Sequence, residues 1–131
     1  MNIVNRSLTL NQNVGNNTVD CIAGCTVQLT GWELLNLAAP GNPGYTLRCV
    51  LEANDPGTDS DENRFTFPFP VTFDNPGKIL DADDIFTATV GNAILNEDVS
   101  GADEIRAKFT LVNNSTGQSV TRKSSSVTIV L

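Results

Sequence analysis

Four carboxylates, Asp55, Asp59, Asp61 and Glu62, fall within eight residues of a turn-rich stretch running from Asn54 to Asn63. Two further acidic connections follow, Asp81/Asp83/Asp84 and Glu97/Asp98/Asp103/Glu104. Hard cations take six to eight oxygen ligands, so these connections hold enough donors for calcium, the one candidate cofactor. Asp55, Asp59, Asp61, Glu62, Asp98 and Asp103 are the candidate metal ligands. In a sandwich alternate hairpin loops fall at opposite ends, so the first and third connections could converge while the second faces the other way, or the reverse. The stretch after Asp59 lacks the glycine that an EF-hand needs at its sixth loop position. Acidic turns that serve solubility alone are the competing reading, and the stronger one.

Other chemistry is harder to assemble. The chain has no histidine, one tyrosine and three scattered lysines, so the usual general bases and activated nucleophiles are missing. Paired carboxylates could run glycoside hydrolysis, but that reaction also needs a cleft and stacking aromatics, which few residues here supply. A non-enzymatic protein is expected.

The charges are segregated. Residues 52 to 104 carry a net of −11, whereas residues 105 to 131 carry Arg106, Lys108, Arg122 and Lys123 and no acid, within a total of −7. An acidic chain lacks the basic footprint that nucleic acid or an anionic membrane demands. An acidic middle against a basic C-terminal hairpin suits contacts between identical subunits, with Arg106, Lys108, Arg122 and Lys123 as the candidate interface.

Three cysteines are an odd number. Cys49 lies on the apolar parity of its strand and reads as a small buried hydrophobe. Cys21 and Cys25 could close a small ring if the chain turns at Ile22-Ala23-Gly24, but a reduced pair is the default. Without histidine or a second cysteine pair their spacing is a poor zinc signature.

The elements that carry these groups read as strands. Leu47, Cys49, Leu51 and Ala53 alternate with Thr46, Arg48 and Glu52, which places Glu52 on the wet face. Phe65, Phe67, Phe69, Val71 and Phe73 share a parity and are expected in the core. Pro68 and Pro70 put that strand at an edge or require bulges, because proline offers no N–H to a ladder. Ile105, Ala107, Phe109 and Leu111 alternate cleanly, and Ser119 to Leu131 returns beside them. Short strands are expected at Thr18 to Ile22, Cys25 to Leu29, Ile85 to Val90 and Asn92 to Leu95. Trp32 to Leu37 is expected as a strand, since Pro40-Gly41-Asn42-Pro43-Gly44 cuts off any helix of useful length. Trp32 and Tyr45 could form a sugar platform, though burial of Trp32 is the stronger expectation.

About eight or nine strands separated by turns predict one all-β domain over residues 1–131, a two-layer antiparallel sandwich of immunoglobulin-like, jelly-roll or C2-like kind. No apolar run approaches the roughly 20 residues of a membrane span and no signal segment stands at the start, so a soluble virion or cytoplasmic protein is expected. The functional expectation is a structural subunit of a homo-oligomer, such as a capsid decoration, tail or fibre component. The alternative is a calcium-binding or ligand-binding module using the acidic loops.

Overall fold

The computed structural model describes residues 1–53, 62–73, 81–96 and 102–131, with backbone alone for 81–84. Among these, nine strands form two antiparallel sheets, an all-β sandwich. The smaller sheet has the order β1 (Asn2–Asn13), β2 (Thr18–Gln28), β6 (Asp81–Gly91). The larger has β3 (Tyr45–Ala53) and β7 (Asp103–Asn113) at its centre, in register from Tyr45 opposite Asn113 to Ala53 opposite Ile105. Outside β3 lie β4 (Glu62–Thr66) and β5 (Val71–Phe73), end to end. Outside β7 lie β8 (Ser119–Lys123) and β9 (Val127–Ile129). Two short helices complete the chain, α1 (Gly31–Leu37) and α2 (Asn92–Leu95).

Alternation decides the core. On β7, Asp103, Ile105, Ala107, Phe109 and Leu111 are buried and the residues between them are half-buried. From the other sheet Val19, Cys21, Ala23, Cys25 and Val27 face them, with Phe86 and Val90. Phe67, Phe86 and Phe109 run through the interior with centroids 5.6 and 6.2 Å apart, within the range where tilted aromatic pairs attract.

Two seams join the layers. Gln12 Nε2 donates to the Val130 carbonyl at 2.6 Å on one side. On the other, Arg64 donates to the carbonyls of Ile94 and Asn96 at 3.0 and 3.1 Å and pairs with Glu62 at 3.0 Å. These bonds tie β4 to α2 and satisfy carbonyls at the end of a one-turn helix.

Several local expectations are corrected. Phe69 is 80% exposed, not core: between Pro68 and Pro70 the chain leaves the ladder and Phe69 turns to solvent, while Phe67 and Phe73 are buried and Phe65 and Val71 pack against the core as expected. Trp32 to Leu37 is helical. Thr30 caps it through the Glu33 amide at 3.2 Å, and Glu33 returns to the Thr30 amide at 2.9 Å, a reciprocal capping box. Asn92 to Leu95 is a helical turn, and β2 runs through Ala23-Gly24 with a register shift instead of breaking. The return from Ser119 is split into β8 and β9 around Ser124, whose hydroxyl accepts from the Ala107 amide at 2.9 Å.

Candidate functional site

Of the six proposed metal ligands, Glu62 and Asp103 lie among the described residues. Asp55, Asp59, Asp61 and Asp98 lie outside the described residues. Glu62 is paired with Arg64, and Asp103 is buried at the start of β7 opposite Ile129. Among the described residues no group of three or more His, Cys, Asp or Glu side chains could hold a metal.

The basic residues gather elsewhere. Glu52 is 1% exposed although its strand parity points it away from the core. Arg106 stands opposite it on β7, with Nε 2.6 Å from Glu52 Oε1, and Lys123 Nζ lies 2.9 Å from the same oxygen. Lys108 Nζ is 3.7 Å from Oε2 and also donates to Asn63 Oδ1 at 3.0 Å. Lys108 and Lys123 are direct cross-strand neighbours, an arrangement that repels unless an anion lies between them. Glu52 is that anion. Three of the four expected interface cations are thus turned onto one carboxylate of their own chain, covering it with their alkyl stems. Only Arg122 stands exposed, donating to the Thr121 carbonyl at 2.9 Å.

Large apolar side chains also stand in solvent. Trp32 is 76% exposed and Leu35 64%, side by side on α1, where only Leu37 turns inward. The helix is held firmly for so short an element. Besides its capping bond, Glu33 Oε1 accepts from the Met1 amine at 2.6 Å, and Glu33 Oε2 accepts from Tyr45 at 3.4 Å. Burial works against the charged Glu33 carboxyl, but hydrogen bonds from the amine and from Thr30, with the attraction of the amine, outweigh it and hold its pKa below the usual value. Burial, then the charge of Glu33, pushes the Tyr45 phenol up. A Trp32–Tyr45 platform does not exist, because Tyr45 is buried. On the opposite seam, Phe69 and Ile85 flank a groove of about 90 Å³ floored by Phe67 and Phe86.

The thiols are quiet. Cys21, Cys25 and Cys49 are all buried and unbridged. Cys21 and Cys25 sit on one continuous strand, too far apart for a disulfide at roughly 3.3 Å per residue. Burial and the neighbouring Asp20 charge push the Cys21 thiol up to about 11, and burial, then Cys25, pushes Cys49 up. Thiolate is the nucleophilic form, so neither sulfur is activated.

Sequence reasoning missed Trp32, Leu35 and Phe69 as surface. The Thr30-x-x-Glu33 signature signals the helix that exposes Trp32, and the two prolines signal the break that exposes Phe69. Among the described residues no helix is long and apolar enough to cross a membrane. In comparisons with protein-family models, curated proteins and solved structures, nothing matches this chain.

Proposed function

We propose that this chain is a non-enzymatic structural subunit that assembles with copies of itself, of the kind found in capsid decorations, tails or fibres. The observation that carries the reading is Trp32, the chain's single tryptophan, standing in solvent beside Leu35 on a helix anchored by Glu33. A large aromatic held rigidly outward loses little entropy on being covered and supplies much of the contact energy when it is, which is why tryptophan concentrates at interface centres. The buried thiols, with those of Cys21 and Cys49 pushed up by burial, and the lack of histidine fit a chain without nucleophilic chemistry.

Light scattering on the wild type, Trp32→Ser and Leu35→Ser tests it. Association that rises with concentration in the wild type and weakens at least tenfold in either variant is expected. A wild type that associates equally well with both substitutions would remove α1 from the contact.

A further inference from the structure

Four sheet edges could accept another strand, and three are guarded. β1 is broken by a register shift between Val4 and Ser7, where Asn5 takes a positive φ of 50°, and its regular, uncharged half from Ser7 to Asn13 is tied at Gln12 to the Val130 carbonyl just beyond β9. β4 carries Glu62 and Arg64, with three-residue β5 beyond it directly after Pro70. β8 carries Arg122 and Lys123, and β9 is again three residues long. Bulges, charge, proline and shortness are the devices that keep an edge from pairing.

From Ile85 to Gly91, β6 has none of them. This stretch, Ile-Phe-Thr-Ala-Thr-Val-Gly, contains no charge and no proline, and its pairing to β2 is unbroken from Phe86 opposite Ala23 to Gly91 opposite Thr18. The irregularity of the strand lies earlier, between Ala82 and Phe86. Among the described residues no strand pairs with its outer side.

The phase of its hydrogen bonds follows from one contact. The Asn92 amide donates to the Asn17 carbonyl at 2.9 Å, which makes Thr18 and Gly91 a wide pair. Wide and narrow pairs alternate in an antiparallel ladder. The backbone N–H and C=O of Thr87 and Thr89 therefore point away from β2, into the open edge.

We propose that a second copy of this chain pairs antiparallel along the outer side of β6, about a twofold axis at Ala88. This deepens the homomeric reading above and rests on it. The axis sets Thr87 opposite Thr89 of the partner subunit as a narrow pair that exchanges the outward-facing hydrogen bonds, and threonine pairs suit that position. It sets Ala88 opposite itself as a wide pair, where Cα atoms approach most closely and a small side chain fits. Phe86 and Val90, both buried, stay on the inner face in both copies. The register also brings Gly91 of the partner subunit, which has no side chain, past the groove between Ile85 and Phe69. Neither paired stretch carries a charge, so no like charges meet. A twofold contact of this kind is self-complementary and closes, joining two three-stranded sheets into one.

Thr87→Pro and Thr89→Pro each remove an edge-facing N–H while leaving the ladder to β2 intact, and Ala88→Cys places a thiol on the axis. Sedimentation velocity and circular dichroism are run on these and on Thr121→Lys, an exposed site on β8. The expected result is a wild type and Thr121→Lys of twice the monomer mass or a multiple of it. Folded proline variants then lose the twofold step, and Ala88→Cys forms a covalent dimer with oxidised glutathione that the buried native thiols do not. Proline variants of wild-type mass, or an Ala88→Cys protein that associates but does not cross-link, overturn pairing through β6 and leave homomeric assembly standing. A wild type that is monomeric throughout overturns both. Should the proline variants unfold, the Ala88→Cys cross-link decides alone.

Discussion

Glu52 Oε1 lies 2.6 Å from Arg106 Nε across the β3–β7 pair, and Glu52 is almost wholly buried while Arg106 is still partly wet. Removing the carboxylate strands three cations at close quarters. Glu52→Ala is expected to lower stability by about 3 kcal/mol, the cost of breaking a buried pair from one side. A urea midpoint that falls at constant slope checks it.

The same cluster separates two neighbouring basic residues that sequence cannot tell apart. Lys123 faces Glu52 and Arg122 faces solvent. Lys123→Glu sets two carboxylates against each other and is expected to destabilise the fold measurably, whereas Arg122→Glu stays within about 0.5 kcal/mol of wild type. Thermal melts of the two charge reversals, side by side, decide.

Glu33 gives the fold an acid-sensitive element. Its folded pKa lies below the ordinary value of about 4.3, so its contribution is complete above that pH and is lost as pH falls through the depressed folded value. The gap in melting temperature between wild type and Glu33→Gln is expected to shrink between about pH 5 and about pH 3. Tyr45 is the only tyrosine, so phenolate absorbance reads it directly: its pKa stands above the ordinary value of about 10 and falls in Glu33→Gln.

At pH 8 a thiol with a pKa of about 11 is thiolate about a hundredfold less often than an ordinary cysteine. Native protein is therefore expected to resist alkylation by iodoacetamide, and urea-unfolded protein to take up label at Cys21, Cys25 and Cys49. Intact mass after timed labelling counts them.

Much of the architecture is legible because period-two burial is a strong signal: the parity of Leu47, Cys49 and Leu51 and of Ile105, Ala107 and Phe109 is the parity of the core. The failures have physical causes. Parity reports burial only where the ladder holds, and Phe69 lies off it between Pro68 and Pro70, whereas Phe67 before it and Phe73 after it keep the parity of the core. Seven residues are too few for an isolated helix, but contacts from Met1 and Tyr45 to Glu33 supply what local propensity lacks. Glu52 reads as solvent-facing because periodicity reports direction, not cover. Its cover comes from β7 and β8, more than fifty residues away in the chain. The acidic connections that suggested calcium lie largely outside the described residues, and composition does not reveal the apolar surface at Trp32, Leu35 and Phe69.

Homomeric assembly is tested most directly by the mass of the untagged wild type in sedimentation velocity from about 1 μM to about 1 mM, the span over which weak and strong protein contacts both register. The account predicts a mass that climbs from the 14.0 kDa of one chain to a defined multiple of it. A mass that stays at one chain across the whole range would contradict it.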